Sequence, residues 1–402
     1  MTDPTLDAAQ PYMGALAAEL QKNGAVRSPQ WAEAFARVPR HVFVPEWYEQ
    51  ETNERGITVW RRHHAATADD QLAKVYRDTT LVTTLDPETA EQVDDTAWTG
   101  IPTSSSTLPS LMAGMLEELT VQDGHRVLEV GTGTGYNAAL LCARLGDRAV
   151  YSVDVDPALV QAAQQRLGEI GYAPQLAAAD GQTGHPDGGP FDRIIATCSV
   201  PAIPPAWIEQ TKPGSVIHTD IALGIEGGLV RLALDEDTRA RGRFTNTTGR
   251  FMAARNEARV YPRRQSPTAA PEAGTRPTPV TGRDIQANYP FRLLLAFHLA
   301  ETRFVYHLDD AGTTSFQLQH SDGSWARAPL AGDDIGLMTY GGNGDLWRQV
   351  EDAWQWWNDA GRPAQDQFGY VREPDGHASV WHIPDGRRWE LTPAASAQHK
   401  PE

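Results

Sequence analysis

The stretch that decides the fold reads VLEVGTGTGYNAALLCARLGDRAVYSVDVD and runs from Val127 to Asp156. It begins with apolar residues typical of a strand buried on both faces, and a glycine turn then leads into an apolar helix. A second apolar run, Val150 to Val153, ends at Asp154. An acid at that place accepts hydrogen bonds from both hydroxyls of an adenosine ribose, so the stretch predicts a nucleotide-binding unit.

The spacing of Gly131, Gly133 and Gly135 separates two cofactors. A dinucleotide site requires G-x-G-x-x-G or A, because its last small residue lets the helix pack closely, and here that position holds the bulky Tyr136. The pattern G-x-G-x-G fits S-adenosylmethionine (AdoMet) better. The glycines alone also suit a turn in an unrelated α/β protein, but Asp154 and the Asp180-Gly181 pair at the next strand end favour AdoMet.

Composition sets the class of protein. The chain has 402 residues, of which 40% are hydrophobic, and a formal net charge of −17. It is therefore long enough for two domains with cores of their own. The acidic balance disfavours nucleic acid or an anionic membrane surface as partner, because phosphates are repelled over most of the exterior.

The cysteines and the N-terminus indicate a cytoplasmic protein. Cys142 and Cys198 lie far apart and lack C-x-x-C spacing, so neither a disulfide framework nor a zinc site is expected. The first residues, MTDPTLDAAQ, show no basic-then-apolar signal pattern, and no apolar run has membrane-spanning length.

From Val121 onward, apolar runs of strand length alternate with segments of helical period. The predicted strands lie at 126–130, 149–153, 175–179, 192–197 and 215–221, and the predicted helices at 135–145 and 157–170. This alternation predicts an α/β fold with a doubly wound parallel sheet. Residues 226–236 and 248–256 are expected to supply a final antiparallel pair.

The segments that flank this core have their own patterns. Residues 1–100 predict a helical N-terminal region that opens with two short helices, the second capped by Ser28-Pro29. Within it, Leu85 to Trp98 carries five acids and no lysine or arginine. This segment is first interpreted as a solvated loop, and secondarily as a gate over a pocket.

The C-terminal part differs in composition. We predict a methyltransferase core at 101–258, a linker at 259–281 rich in proline, threonine and alanine, and an α+β domain at 282–402. Most of the domain's tryptophans are expected to fill its core, and a minority to line a peptide groove. Seven of the chain's twelve tryptophans fall there: Trp325, Trp347, Trp354, Trp356, Trp357, Trp381 and Trp389.

Five separated motifs between about residues 31 and 256 resemble those of the protein L-isoaspartate O-methyltransferase family, and in the same order. They are VPRHVFVP (38–45), VYRDTTLV (75–82), PTSSSTLPSLMAGML (102–116), the AdoMet pocket of VLEVGTGTGY, YSVDVD and AADGQTG, and FDRIIATCSVPAIPPAWIEQTKPGS (191–215). The resemblance implies a class I AdoMet-dependent methyltransferase fold and an AdoMet-dependent carboxyl O-methyltransferase, with S-adenosylhomocysteine as product.

Two departures from the family pattern affect the expected substrate. An insertion at about 83–101 precedes the serine loop, where Pro102 and Thr107 replace the familiar glutamine and proline. In addition, family repair enzymes are expected to end near the linker. The extra domain resembles that of methyltransferases associated with ATP-grasp peptide ligases, which act on side-chain-crosslinked ribosomal peptides called graspetides.

This resemblance implies an aspartate side chain in a macrocyclic precursor peptide as substrate. Its methyl ester collapses to an aspartimide when the next backbone nitrogen expels methanol. Two alternatives remain: an isoaspartyl repair enzyme with an accessory domain, and a non-catalytic AdoMet-binding peptide scaffold.

The chemistry of methyl transfer suggests which side chains the site needs. Opposite charges disappear as a sulfonium methyl moves to a carboxylate, so excluding water helps. An aspartate has an unperturbed pKa of about 4 and needs no general base at neutral pH. The site must hold one oxygen in line with the methyl group, which a neutral hydroxyl can do.

By the family alignment, Ser105 is the active-site serine, with Ser104 and Ser106 as neighbours that substitute for it. Thr197, Cys198 and Ser199 follow the fourth strand, and their backbone amides are expected to orient the substrate carboxylate. Cys198 is assigned no nucleophilic role.

The cofactor site is expected to combine the glycine turn with two strand ends. Glu129 is predicted to fix the glycine loop or the amino end of AdoMet, or to make a structural hydrogen bond. Asp180 is expected to accept from the adenine amino group, with Gly181 leaving room for the ring. The full cofactor set is Glu129, Gly131, Thr132, Gly133, Gly135, Tyr136, Asp154, Val155, Asp180 and Gly181.

Overall fold

The computed structural model describes residues 4–52, 58–65, 69–257, 268–309, 312–332 and 336–391. The chain forms two compact units. The first takes in the residues up to Cys198, Pro204–His218 and a segment from Phe251, and the second takes in Ser199–Ile203, Thr219–Arg250 and the residues from Pro262 onward. No helix in the described ranges is long and apolar enough to cross a membrane.

The first unit is built on a largely parallel sheet of strand order β11-β10-β7-β8-β9, in which β10, β7, β8 and β9 are parallel. Its strands are β7 (Val127–Val130), β8 (Val150–Asp154), β9 (Gln175–Ala178), β10 (Phe191–Val200) and β11 (Thr211–Ala222). The helices along this part of the chain are α6 (Tyr136–Leu145), α7 (Pro157–Glu169) and α8 (Pro205–Glu209). The predicted alternation of strands and helices is confirmed.

The largest difference in this sheet is the length of β10, which continues three residues beyond its predicted end. Thr197, Cys198 and Ser199 therefore lie within the strand, where a loop after it was expected. The sequence permits this because Thr, Cys and Val suit a strand as well as a loop.

Before the parallel sheet, the N-terminal region contains a second sheet as well as helices. The helices are α1 (Pro4–Lys22), α2 (Pro29–Arg37), α3 (Arg40–Phe43), α4 (Asp69–Val75) and α5 (Pro109–Glu118). The strands are β1 (Glu46–Thr52), β2 (Thr58–His64), β3 (Leu81–Leu85), β4 (Gln92–Asp94), β5 (Ala97–Trp98) and β6 (Pro102–Ser106). They form an antiparallel sheet of order β4-β5-β2-β1-β3-β6.

This sheet corrects two predictions. The region before residue 100 is not only helical, and the acidic segment Leu85 to Trp98 is not only a loop, since it supplies β4 and β5. Ala97 is fully buried in this segment, and Trp98 lies opposite Trp60 of β2. Most of the acids that dominate the segment's composition have exposed side chains. These acids obscure the pattern of the two short strands in the sequence.

The second unit contains an antiparallel group of strands in the order β12-β13-β19-β20-β21 and an antiparallel sheet of order β14-β18-β17-β16-β15. The strands of the first are β12 (Gly227–Leu234), β13 (Ala240–Phe244), β19 (Phe368–Arg372), β20 (Ala378–His382) and β21 (Arg388–Leu391). Those of the second are β14 (Glu272–Pro277), β15 (Thr302–Leu308), β16 (Thr314–His320), β17 (Trp325–Pro329) and β18 (Leu337–Gly341). The helices are α9 (Gly282–Ala287), α10 (Tyr289–His298) and α11 (Asp345–Asp359).

The expected filling of this core by tryptophans is largely what the structure shows. Trp325, Trp347, Trp357 and Trp389 are buried. Trp354 is half-buried, and its ring packs against Phe291 and Trp357.

Three boundaries differ from the predictions. The partner of β12 is β13, not residues 248–256, because an Asp235 turn closes the hairpin early. Part of the predicted linker lies outside the described residues, and another part forms β14, which pairs with β18. Finally, β12 and β13 belong to the second unit because β13 pairs with β19, so the methyltransferase core does not extend to 258 as one domain.

Candidate functional site

The glycine turn after β7 is held in place by a threonine from β10. Gly131 has φ +97°, and a Cβ built there would lie 2.7 Å from Thr197 Oγ1. The Thr197 hydroxyl donates to the Gly131 carbonyl at 2.8 Å. Thr197 thus acts on the loop through its side chain, whereas we expected its backbone amide to act on the substrate. Neighbouring Cys198 is half-buried, with its Sγ 3.9 Å from the Val130 carbonyl.

Two other glycines leave room for protein atoms. A Cβ on Gly135, where φ is +88°, would lie 3.0 Å from the Cβ of Ala163, so this glycine lets α7 approach the loop. A Cβ on Gly181 would lie 2.4 Å from a methyl group of Val130. Val130 thus leaves no room for a side chain at Gly181, and the position of an adenine ring beside this glycine stays a prediction.

Gly133 lies in more open surroundings. A Cβ built there would have its nearest neighbours at 3.8 Å, the Ser104 hydroxyl and the Ser105 carbonyl. Since Ser104 and Ser105 belong to β6, this distance shows that the structure brings the serine strand to the glycine turn. These two motifs are separated by more than 25 residues in the sequence, and their proximity was expected only from the family resemblance.

Asp154 closes the other side of the turn. Its carboxylate accepts from the Gly133 amide at 2.8 Å and from the Asp156 amide at 3.0 Å, and the side chain is 9% exposed. Burial raises the pKa of this carboxyl, and the two amides partly oppose the shift. The carboxylate keeps lone pairs for further donors, so its fixed position at the β8 end fits the hydroxyls of an adenosine ribose.

Glu129 lies fully buried beneath the turn. Its two carboxylate oxygens accept from the Asn137 side-chain amide at 2.7 Å and from the Ser152 hydroxyl at 2.5 Å. Thr132 completes the chain, since its hydroxyl lies 2.6 Å from that of Ser152. Burial raises the pKa of Glu129 to about 7, against the lowering effect of these hydrogen bonds. This network fixes the loop, which is one of the roles that we predicted for Glu129.

The remaining predicted cofactor residues are spread around the strand ends. Val155 directly follows β8, and Asp180 begins a short turn by accepting from the Gln182 amide at 2.9 Å. The Tyr136 ring is buried between Phe35 and Phe43, with its hydroxyl also buried. Tyr136 therefore contributes its ring to the core, and only its backbone, at the start of α6, lies near the turn.

The three candidate serines point to two sides of β6. Ser104 and Ser106 are buried and Ser105 is half-buried, as alternation along a strand requires. The Ser106 hydroxyl accepts from Arg40 at 3.3 Å, and the Ser104 hydroxyl accepts from Thr83 at 3.3 Å. Ser104 is thus the serine whose hydroxyl lies beside Gly133, whereas the family alignment favoured Ser105.

Several residues of this region were missed in the sequence. Arg40, Thr83, Asn137 and Ser152 all hold site residues by hydrogen bonds. Arg40 lies within VPRHVFVP, a motif that supports the family resemblance without indicating a role for its arginine. A cavity of about 230 Å³ also adjoins the turn, and its lining residues are Phe43, Pro45, Glu46, His64, Thr83, Thr84, Thr134, Leu159 and Arg166.

The adjacent histidines of β2, His63 and His64, differ in their exposure. His63 stacks on the buried Trp47 ring and lies 3.2 Å from Glu49, whereas His64 is largely exposed. Among the described residues, no group of three or more His, Cys, Asp or Glu side chains is arranged to hold a metal ion. Cys142 and Cys198 are not joined in a disulfide.

Comparison with known proteins places the chain. The family model for protein-L-isoaspartate(D-aspartate) O-methyltransferase matches residues 61–243. The protein-L-isoaspartate O-methyltransferase of Ignicoccus hospitalis is 31% identical over 196 residues, which are 48% of this chain and 74% of that protein. The chain belongs to the protein-L-isoaspartate O-methyltransferase family. The predicted family is confirmed, and with it the enzyme class and cofactor of its members, which are AdoMet-dependent carboxyl methyltransferases.

Other relatives match over shorter parts of their length. The Methanosarcina mazei protein-L-isoaspartate O-methyltransferase is 33% identical over 187 residues, or 46% of this chain and 60% of that protein. The Myxococcus xanthus enzyme of that name is 42% identical over 125 residues, or 31% of this chain and 57% of that protein. The chain thus spans somewhat more than half the length of these two relatives.

A solved structure titled protein-L-isoaspartate O-methyltransferase aligns with 92% of this chain and 98% of its own, with a TM-score of 0.52 and 21% identity. This likeness confirms the predicted class I methyltransferase fold. Residues before 262 make up only about two thirds of the chain, so the aligned part extends well into the C-terminal region. At least part of that region therefore has a counterpart in the fold of this solved structure.

Proposed function

We propose that this protein is an AdoMet-dependent O-methyltransferase that esterifies the side-chain carboxylate of an aspartate-derived residue in a peptide or protein. The observation that carries the proposal is the convergence of Asp154, the glycine turn and the Ser104 hydroxyl at one strand edge. Parallel α/β sheets bind their ligands at this edge. The two cysteines, which are not joined in a disulfide, support a reducing, cytoplasmic location.

The residues around the turn suit AdoMet better than a dinucleotide. Asp154 is placed to hold ribose hydroxyls, and the Glu129 network keeps the turn in one conformation. When bound, AdoMet supplies an electrophilic sulfonium methyl group and leaves as S-adenosylhomocysteine. A bulky Tyr136 packs into the core at the position where a dinucleotide fingerprint needs a small residue.

The protein's own part in the reaction is to hold the substrate carboxylate in position and to exclude solvent water from it. Ser104 accepts a hydrogen bond from Thr83, so its own proton is available to donate to a substrate oxygen. A neutral donor of this kind orients the carboxylate without retaining it as an ion pair once the ester has formed. Its burial, 4% exposed, also keeps water from the reacting oxygen.

The isoaspartyl residue is the first substrate that we propose. Relatives that align with most of their own length bear that name, and the C-terminal region has a counterpart in a solved structure titled with the same activity. An aspartate in a macrocyclic crosslinked peptide is the second candidate. It is favoured only by the excursion of residues 86–101, which adds β4 and β5 before the serine strand.

Mass spectrometry of three peptides incubated with AdoMet tests the proposal. The peptides share one sequence and contain an isoaspartyl residue, an ordinary aspartyl residue, or an aspartyl residue inside an ester- or amide-crosslinked ring. We expect a methyl gain on the isoaspartyl peptide, followed by loss of methanol as the imide forms. A Ser104→Ala/Ser105→Ala double variant serves as the control for enzyme-dependent transfer.

The other outcomes of this experiment distinguish between the alternative functions. Methyl gain only on the crosslinked ring, followed by methanol loss, would establish the graspetide substrate in place of isoaspartate. If no peptide gains a methyl group but calorimetry detects AdoMet binding, the result would support the non-catalytic AdoMet-binding scaffold. Absence of AdoMet binding would refute the whole proposal.

A further inference from the structure

The guanidinium group of Arg40 is enclosed at the end of the serine strand. Its side chain is 0% exposed. It donates to the carbonyls of Val75, Arg77 and Thr79, each at 2.9 Å. At 3.3 Å it donates to the Ser106 hydroxyl and to the carbonyls of Ser106 and Thr107. One side chain thus ties the end of β6 to the segment that precedes β3.

All of these acceptors are neutral oxygens, and no carboxylate among the described residues forms an ion pair with Arg40. Burial of a cation without an ion pair is costly, and it lowers the pKa of Arg40 to about 10 although the nearby Asp78 carboxylate opposes the shift. If Arg40 only filled space in the core, an apolar side chain of similar size at this position would make the protein more stable. The arrangement is therefore better explained by what the six hydrogen bonds position.

The pairing of β6 with β3 is irregular along the serine strand. Its register shifts twice, between Val82 and Thr84 and between Thr84 and Leu85. A shift of one residue along a strand turns every side chain to the opposite face. Ser104 would then leave Gly133, and Ser105 would replace it. Arg40 donates to Ser106 and Thr107, which lie next to the irregular pairing. A shift of β6 by one residue would break these three hydrogen bonds.

We propose that Arg40 is a positioning residue that fixes the register of β6 and thereby directs the Ser104 hydroxyl to the reacting carboxylate. The proposal rests on the methyltransferase function proposed above. Arg40 acts through β6 and does not touch the substrate. Loss of its hydrogen bonds to β6 displaces Ser104 by a fraction of an ångström or more, whereas the Asp154 side of the site stays unchanged. A misplacement of about 1 Å costs on the order of 100-fold in rate.

Arg193 offers a matched control in the same unit. It is also buried, 8% exposed, and donates to the carbonyls of Leu119, Thr120 and Asp192. It lies at the opposite end of β7 and β10 from the glycine turn, where Arg193 pairs with Val127. Replacing it removes a buried guanidinium of the same chemistry without touching the serine strand.

The experiment compares Arg40→Lys with Arg193→Lys in the full chain. Lysine keeps the charge but has three donors on one atom, so it cannot reach the same set of acceptors. We expect similar losses of melting temperature in both variants. Only Arg40→Lys should lower kcat for the isoaspartyl peptide, by 10- to 100-fold, with the dissociation constant for AdoMet within twofold of wild type. Amide hydrogen exchange in residues 102–107 should accelerate about tenfold in that variant alone.

Equal losses of kcat in the two variants, or unchanged exchange in residues 102–107 of Arg40→Lys, would overturn the proposal. If Arg40→Lys does not fold, Arg40→Gln is measured against Arg193→Gln with the same readouts. Hydrogen exchange does not depend on activity. A wild-type protein that fails to methylate any peptide would therefore refute the proposed function, while exchange in residues 102–107 would still test the role of Arg40.

Discussion

Ser104, rather than Ser105, is the residue whose replacement should impair methyl transfer most. Its hydroxyl lies on the buried face of β6 near Gly133, whereas the side chain of Ser105 lies on the other face. We expect Ser104→Ala to lower kcat about 100-fold, as loss of one positioned donor does, with AdoMet affinity nearly unchanged. Ser105→Ala, one residue away, is the matched control and should retain kcat within threefold. Steady-state methylation assays that rank the two variants the other way would contradict this assignment.

The sequence contained these serines but not their orientation. Three consecutive serines have no hydrophobic alternation, and it is alternation that predicts which side chains face inward. Orientation is instead set by the pairing of β6 with β3 and by Arg40, which are contacts between residues 17 to 66 positions apart. The Asp154 and glycine positions, by contrast, were predicted from a local spacing because one strand, one turn and one helix determine them.

Glu129 should make stability depend on pH. Burial raises its pKa from an ordinary value near 4.5 to about 7 in the folded protein. Between these values the folded state binds a proton that the unfolded state has lost, so its contribution to stability is full below pH 4.5 and decreases as pH rises through 7. The decrease amounts to about 3 kcal/mol at most.

Glu129→Gln removes the titrating group but keeps an oxygen that can accept from Ser152. Urea unfolding of both proteins between pH 5 and 8 should show the wild type losing stability relative to the variant as pH rises. The difference between the two proteins isolates Glu129 from other titrating groups. A difference that is constant over this range would show that the pKa of Glu129 is not raised.

Among the strands and helices, local sequence patterns predicted the parallel sheet. Strands whose position depends on pairing with distant segments were not predicted correctly. Strands β7 to β9 and helices α6 and α7 were found within two residues of their predicted bounds. The partner of β12 was predicted at 248–256, whereas β13 begins directly after a turn in which the Asp235 carboxylate accepts from two backbone amides. The turn is acidic and lacks glycine and proline, so its sequence gives little indication of a hairpin.

The excursion of residues 86–101 should be removable. Leu85 pairs with Pro102 across it, so a two-residue Asn-Gly turn can join β3 directly to β6. The deletion removes β4 and β5, including the buried Ala97, and should lower the melting temperature by several degrees. The dissociation constant for AdoMet should stay within twofold, because no residue of the segment contacts the glycine turn among the described interactions.

Peptide methylation by this deletion variant then shows what the excursion does. We expect isoaspartyl methylation to be retained within about tenfold, since β6 keeps its pairing and its bonds to Arg40. A variant that binds AdoMet but methylates no peptide would assign the excursion to substrate binding. A variant that no longer binds AdoMet would contradict the independence of the two sheets in the first unit.

At the scale of the whole molecule, the two units do not follow the order of the chain. Residues 219–250 precede the predicted linker but belong with the C-terminal part. In the second unit β13 pairs with β19, and the fully buried Phe244 ring packs 5.3 Å from Phe297 and 6.3 Å from Tyr370. Sequence composition marked the proline-rich stretch as a boundary. Composition carries no information about such pairing between strands more than 120 residues apart.

Deletion of residues 280–402 therefore should not yield a separate methyltransferase domain. The truncated chain would expose the buried side chains of Leu229, Val230, Leu232 and Phe244, and would leave β13 with an unpaired edge. Exposed apolar residues beside an unpaired strand edge promote aggregation. We expect the truncated protein to be insoluble or to lack cooperative unfolding, with size-exclusion chromatography and thermal melting as the measurements. A chain that also lacks 219–250 tests the cause, because it removes β12 and β13 themselves and should be the more soluble of the two. A soluble, cooperatively folding protein of residues 1–279 would show instead that the hairpin is stable without its C-terminal partners.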